Sequence, residues 1–335
     1  MPSLANKTMK SVTTRNEEPP EIDCNSMPLV SVVLVADHDT ARHAGLEDLR
    51  SCLQALALQK VDQPVEFLLV ESEERARQLP ADLIAGLPGL RVLGVPHDRS
   101  YERKNAAVKA AKGEIISILD ADCIPCSGWL QSLINTFRSD PQYVAVSGRT
   151  MYEGKTASER SLAVLTRGYL DPGKEAPTHY ISNNNAGILR RVWERFPLPE
   201  NEGPYAALLQ SAAIMRDGGR FLFQPAMTVI HEFDGWSMER DIRCHIGWAT
   251  IRIRQIDPAL RFGWLLHLGR ASIPLFYVGR LIESWWTCFR VGPQYGLKLT
   301  DYPVALALTF WIHFLEIKGM LMAFGHKRPS ETKYR

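Results

Sequence analysis

The chain has 335 residues, 45% of them apolar and 23% charged, with a formal net charge of +2. That length holds one large domain, or one domain with an appendage. Near neutrality excludes a nucleic-acid binder held by bulk electrostatics.

Residues 1–28 are polar and carry no apolar h-region, which predicts a disordered lead without a signal peptide, and a cytosolic catalytic domain as the default. Residues 31–35, Ser-Val-Val-Leu-Val, read as a buried parallel strand. Leu46, Leu49, Leu53 and Leu56 then recur at helical spacing. Residues 65–70 form a second strand ending at Glu71, and 90–95 a third. A helix rich in Lys, Ala and Val follows over 101–112, stopped by Gly113. The next strand ends in Asp120, and 128–137 make another helix. Strands alternating with helices predict an α/β fold with a right-handed, doubly wound sheet. From about Tyr143 the pattern is mixed. Residues 144–147, 221–223 and 228–230 look like strands, and 190–195 like a short helix after Asn183, Asn184 and Asn185. There are no internal repeats.

The chemistry concentrates at Leu119-Asp120-Ala121-Asp122, an Asp-x-Asp pair closing an apolar run. Residues i and i+2 of a strand point to one side, so both carboxylates can face a site at the sheet's C-terminal edge. Two hard oxygen donors suit Mg²⁺ or Mn²⁺, with a diphosphate completing the coordination. Of six cysteines only Cys123 and Cys126 have metal or redox spacing. Without a second pair they read as buried or incidental thiols rather than a zinc or thioredoxin-like site.

Two apolar stretches, 264–286 and 302–324, approach membrane-spanning length. Arg270, Arg280 and Glu283 interrupt the first, Glu316 and Lys318 the second. Each mid-bilayer charge costs about 2.5–3.5 kcal/mol on insertion scales. The alternatives are amphipathic helices packed on the domain, or membrane contact through Trp264, Trp285, Trp286 and Trp311 as interfacial anchors. Contact is the preferred reading, with spanning or lying in the interface left open.

Several motifs occur in a fixed order. Arg103-Lys104-Asn105-Ala106-Ala107 precedes Ala111-Lys112-Gly113-Glu114, then Asp120-Ala121-Asp122, Pro125 and Gly128-Trp129-Leu130. Downstream lie Asn184-Asn185-Ala186 with Arg190-Arg191, and Gly218-Gly219-Arg220 through Pro225 to His231. Together, over roughly residues 30–235, they resemble the family 2 glycosyltransferases of the GT-A fold. The resemblance implies an α/β nucleotide-diphospho-sugar transferase fold, a Rossmann-like doubly wound sheet with C-terminal apolar helices. The expected divisions are a lead (1–28), a glycosyltransferase domain (29–240), a membrane-associated helical region (241–325) and a polar tail (326–335).

The resemblance further implies a nucleotide-sugar donor (UDP-sugar favoured), Mg²⁺ or Mn²⁺, inversion at the anomeric carbon, and no nucleic acid. With the apolar C-terminus, it points to a lipid-linked or growing glycan acceptor and the cytoplasmic face of the inner or plasma membrane. By family position Asp122 would bind the metal directly, and Asp120 the metal water or donor ribose. Glu71, Arg103 and Lys104 would hold the base or diphosphate, and His231 is a candidate further metal ligand. Asn184 and Asn185 fall in the acceptor-side segment.

Two departures stand out. The family's catalytic aspartate falls here at Ala206-Ala207, where there is no carboxylate, so Glu202, or Glu200, is expected to substitute as base. The turn after the first strand reads Ala36-Asp37-His38-Asp39, and Asp37 or Asp39 is expected to serve in donor binding. The missing base also leaves open a donor-binding but catalytically weak member acting as a partner or regulator. Another nucleotide-using α/β enzyme would need a Gly-rich phosphate loop, which Asp37-His38-Asp39-Thr40 does not provide.

Overall fold

A computed structural model describes residues 30–36, 46–96, 99–200, 202, 205–231 and 236–329. Asp37 and Asp39, and with them the expected donor contact after the first strand, lie outside the described residues.

The first half is built as expected. Strand β1 (Val30–Val35) pairs in parallel with β2 (Val65–Ser72) and β4 (Ile115–Asp120), and β2 pairs in parallel with β3 (Leu90–Val95). Alternate β1 residues serve two cores. Val30, Val32 and Leu34 pack with α1 (Glu47–Ala57) and α5 (Trp129–Ser139). Val33 and Val35 pack with α4 (Ser100–Ala110), α7 (Arg190–Arg195) and α8 (Ala206–Arg216). A strand covered on both faces is largely apolar, which is why β1 and β4 read as Val/Ile/Leu runs broken only by Ser31 and Ser117 before Asp120. Short helices α2 (Glu73–Gln78) and α3 (Ala81–Ala85) bridge β2 to β3.

Beyond β4 the sheet turns mixed, so the doubly wound expectation holds only for its first four strands. Strand β4 pairs antiparallel with β8 (Asn185–Leu189), and β8 with β6 (Tyr143–Tyr152). Strand β6 runs parallel to β9 (Arg220–His231), which carries β5 (Cys123–Pro125) and β7 (Ala176–Thr178) antiparallel. The segments read as separate strands at 221–223 and 228–230 are one strand. Between Gln224 and Thr228 the register jumps against Gly148 and Arg149, so Pro225, which has no N–H to give a ladder, sits in the irregularity.

The C-terminal region is helical: α9 (Trp236–Ile256), α10 (Ile273–Val291) and α11 (Tyr302–Phe324), packed with α6 (Ala157–Arg167). The division expected after residue 240 falls inside α9. Helices α9 and α11 cross at glycines: a Cβ on Gly247 would lie 1.9 Å from the Glu316 carbonyl oxygen, and one on Gly319 1.9 Å from that of Cys244. Both contacts are to backbone, which cannot swing aside. Gly319→Ala should therefore destabilise the fold by about 1–3 kcal/mol, the usual cost of overpacking, and lower the melting temperature. An unchanged melting temperature would show that the helices separate freely at this crossing.

Candidate active site

The register brings the acidic residues together. Val35 at the end of β1 is level with Val70 on one side and Asp120 on the other, so the C-terminal edges of β1, β2 and β4 end side by side. Asp120 is the last residue of β4, and Asp122 stands in the turn before β5. Cys123 of β5 pairs with His231, the last residue of β9, which sets the imidazole next to Asp122. His231 Nε2 lies 3.2 Å from Asp122 Oδ2. Two residues far apart in the chain meet because both end adjacent strands.

The basic motif on α4 points inward. Lys104 Nζ sits 2.7 Å from Asp120 Oδ1 and donates to the Asn183 carbonyl at 2.8 Å. Arg103 donates to the Ala36 carbonyl at 2.7 Å and lies 3.6 Å from Glu71. Glu71, read as ending a strand at a loop, is wholly buried within β2. A solvated loop acid is excluded there. Asn105 fastens the chain ahead of α8, accepting from Trp193 Nε1 and the Leu198 N–H, and donating to the Leu198 carbonyl and Glu200.

Two neighbours of the site were not read from the sequence. Tyr152, level with His231 in the β6–β9 ladder, stacks on it with ring centroids 4.9 Å apart at 28°. Arg167, the last residue of α6, hydrogen-bonds Tyr152 and stands within electrostatic reach of Asp120 and Asp122. Helix α6 had a legible start, the capping box of Thr156 and Glu159. No local signal ties its far end to the aspartates.

The electrostatics separate the two carboxylates. Burial alone would raise Asp122, yet His231, a hydrogen bond from Cys123 and the charge of Arg167 hold it well below the usual carboxylate range. Burial pushes Asp120 up, with the charge of Asp122 adding and Lys104 opposing. Burial also raises the Cys123 thiol well above its ordinary value, and both aspartates add to this.

The donor set fits a hard divalent cation. Asp122, Cys123 and His231 place one ligand atom each within 4.8 Å of one another, and Asp122 Oδ1 is buried with no hydrogen-bond partner among the described residues. A buried, ionised oxygen without a partner is costly unless a cation takes it. Carboxylate and imidazole, with neutral Cys123 standing by, match Mn²⁺ or Mg²⁺ better than a thiophilic metal.

Other expected residues are placed elsewhere. Asn185 is fully buried, accepts from Trp129 Nε1 at 2.8 Å, and donates to the Arg149 and Met227 carbonyls. Gly148 makes room for it, since a Cβ there would come within 2.4 Å of the amide nitrogen. Asn184 is buried, accepting from Ser182 and donating to Thr150 and Cys123. The Asn185 amide is bonded to the neighbouring strands, while Asn184, just ahead of β8, is bonded to Ser182, Thr150 and Cys123, the residue after Asp122. Glu202 pairs with Arg252 of α9 at 3.0 Å. With Glu200 it lines a hollow of about 580 Å³ shared with Arg216, Arg252 and Asp257. Asp120, Asp122 and His231 are not part of that hollow. Glu202 is paired with Arg252, and Glu200 accepts from Asn105, the neighbour in α4 of the Lys104 that meets Asp120.

The ends of these parallel strands, with the Asp-x-Asp pair, an imidazole and buried cations, form the edge at which open α/β sheets place their ligands. The sequence model of the family described as "Glycosyl transferase family 2" matches residues 42–213. The chain belongs to that family, and its fold is GT-A. It is 25% identical over 143 residues to the glycosyltransferase AglE of Haloferax volcanii, a match covering 41% of this chain and 45% of that protein. It thus spans less than half of this curated relative. Among solved structures it resembles the mannosyltransferase PcManGT from Pyrobaculum calidifontis, in complex with GDP-Man and Mn²⁺. The TM-score is 0.57 at 15% identity, over 93% of this chain and 92% of the other.

Proposed function

We propose that this protein is a metal-dependent, inverting glycosyltransferase that takes a sugar from a nucleotide-sugar donor at a membrane surface. The observation that carries the reading is the orphaned Asp122 oxygen beside His231, at the edge where Glu71, Arg103, Lys104 and Asp120 converge. Asp122 and His231 would hold Mn²⁺ or Mg²⁺, which when bound supplies Lewis-acid stabilisation of the departing diphosphate. Lys104 fixes the Asp120 carboxylate, and Arg103 with Glu71 closes the nucleotide end. Arg167 and Lys104 contribute positive charge toward the leaving group. The GDP-Man and Mn²⁺ bound by PcManGT are consistent with this donor class.

The membrane part of the proposal rests on the outer face of the C-terminal helices. Leu275, Val278, Ile282, Trp286 and Phe289 form an exposed stripe on α10 at helical spacing, flanked by Trp264 and, on α11, by Trp311 and Phe314. Trp264 and Trp286 are 63% and 65% exposed, far beyond what a solvated surface gains from an indole. One helix among the described residues, Leu299–Phe324, is long and apolar enough to cross a bilayer. Its Glu316, however, is fully buried against Arg243 and Arg280 of the neighbouring helices. That favours a bundle lying in the interface with its apolar side down. Ile282→Glu with Trp286→Glu should abolish flotation with lipid vesicles and leave the melting temperature within a few degrees. Flotation unchanged by the pair would remove the membrane claim.

Transfer is tested by incubating the full chain with Mn²⁺ and a panel of UDP- and GDP-sugars and following release of the nucleoside diphosphate. The anomeric configuration of the product then decides inversion. Retention of configuration would refute that half of the reading, and no release from any donor would favour a donor-binding partner protein.

A further inference from the structure

Resting on the reading of His231 as a metal ligand, we propose that Asn185 is a positioning residue: its buried amide fixes the register of β9 against β6 and so sets His231 beside Asp122. The ladder between these strands is broken by a definite amount. Gln224 is level with Gly148, but Thr228 is level with Arg149, so residues 225–227 of β9 have no counterpart on β6. After the break the pairing runs on regularly to Tyr152 and His231. An unbroken ladder would instead bring Thr228 level with Tyr152, the last residue of β6. His231 would then stand roughly 10 Å beyond Tyr152, and an odd shift also exchanges the faces of the strand. Asp122 comes just after the end of β4 and cannot follow it that far. His231 would lose both Tyr152, on which it stacks, and Asp122, which it meets at 3.2 Å.

Pro225 forces a break, having no N–H for the ladder, but does not set its size. Within the break the Ala226 N–H goes to the Gln224 side chain, and the Pro225 carbonyl accepts from the Thr228 hydroxyl. Both are local bonds within β9. The Met227 carbonyl is held from across the sheet. It accepts from Asn185 Nδ2 at 2.8 Å, and the same nitrogen donates to the Arg149 carbonyl at 2.9 Å. One amide thus ties the last residue of the extra segment to the β6 residue at which pairing resumes. Asn185 lies on β8, with β6 between it and β9. Its side chain can reach across because Gly148 has no Cβ; one there would lie 2.3 Å from the Met227 carbonyl oxygen and 2.4 Å from the amide nitrogen. The indole N–H of Trp129 in α5 donates to Asn185 Oδ1 at 2.8 Å. That bond decides which end of the amide faces the two carbonyls, since an oxygen turned toward them would leave both without a donor.

Setting register is the best-attested use of a buried polar group. An apolar side chain at 185 could pack with Trp129, Met227 and Val229, which line the same core, yet it would accept a break of any size. The amide does not, because a slipped β9 would present another carbonyl, or none, over Gly148. Groups that orient a metal ligand without touching the metal change its affinity about 10–100-fold when they are replaced. Asn185 would act in this way through the length of β9 from Met227 to His231.

The test uses the full chain and two readouts: Mn²⁺ affinity by electron paramagnetic resonance, and the nuclear Overhauser contact between the His231 and Tyr152 rings. Asn185→Asp keeps the shape and the Trp129 bond but loses the amide nitrogen. Its Mn²⁺ affinity should fall about 10–100-fold and its ring contact should vanish. Leu83→Ala, a core truncation in α3 beside the opposite edge of the sheet, should lower stability and leave both readouts unchanged. Adding His231→Ala to Asn185→Asp should weaken Mn²⁺ no further than His231→Ala alone, because both changes act through one ligand. Trp129→Phe should show a smaller loss of the same kind, about 3–10-fold, and carries the test if Asn185→Asp does not fold. Wild-type affinity and an intact ring contact in both variants would overturn the proposal, as would additive losses with His231→Ala. Absence of Mn²⁺ binding by the wild type strikes the metal reading instead, and the ring contact then decides for or against the role of Asn185 by itself.

Discussion

Asp122→Asn is expected to lower sugar transfer by about 10³-fold, roughly 4 kcal/mol of transition-state stabilisation. The amide keeps the shape of the carboxylate, so the turn before β5 should survive. It loses the charge that His231 and Arg167 hold in place, and its nitrogen would present a donor at the buried position of Oδ1. Raising the Mn²⁺ concentration should restore little of the rate, because the lost group is a charged ligand rather than a weakened one. Nucleoside diphosphate release under saturating donor is the readout. A variant retaining a tenth or more of the wild-type rate would show that Asp122 is not the metal's principal ligand.

Glu316→Ala should be the most damaging change to stability, by about 3–5 kcal/mol, because it strands buried cations. Glu316 is fully buried and touches Arg243 at 3.3 Å, Arg280 at 2.7 Å and His313 at 3.1 Å, while His313 Nε2 meets Ser284 at 2.8 Å. Burial alone would raise the Glu316 carboxyl, but Arg280, His313 and Arg243 hold it down at about 2. A depressed carboxylate contributes stability that is present above its unfolded value near 4.5 and lost as pH falls toward 2. Burial also depresses His313, so the unfolded chain takes up its proton first, below about 6.5. Both groups act in the same direction. Wild-type unfolding free energy should decline from about pH 6.5 downward and more steeply below 4.5, with the steeper limb absent in Glu316→Gln. A flat profile between pH 7 and 4 would contradict the network's role.

Local pattern carried the parallel half of the sheet. Residues 31–35 and 115–119 are buried on both faces and read as apolar runs broken by one serine each, whereas 90–95, at the sheet's edge, is half-exposed and was legible from its alternating Leu and Val. The Asp-x-Asp pair was legible for the same reason, since it ends one of those runs. The mixed half was not legible: pairing of β8 with β4 and of β9 with β6 is decided by contacts between segments far apart in sequence, and a proline inside β9 reads locally as a break. Helix α9 was missed because Arg240, Arg243, Arg252 and Arg254 obscure its apolar spacing, and several of these charges face inward to partners on other helices or loops. Asn184 and Asn185 were expected on the acceptor side from their match to the family's segment, and the bonds their amides make were not legible. Arg167 reaches the aspartates, and Tyr152 reaches His231, only through the tertiary fold, so no spacing could have named them.

The most direct measurement is calorimetric titration of the full-length chain with UDP, GDP and their sugars, with Mn²⁺ and after its removal by chelation. Saturable binding of one nucleotide series, present with the metal and lost without it, is the predicted result. Equal binding with and without metal would contradict the role given to Asp122 and His231, and binding of no nucleotide at all would contradict the account of the site as a sugar-donor site.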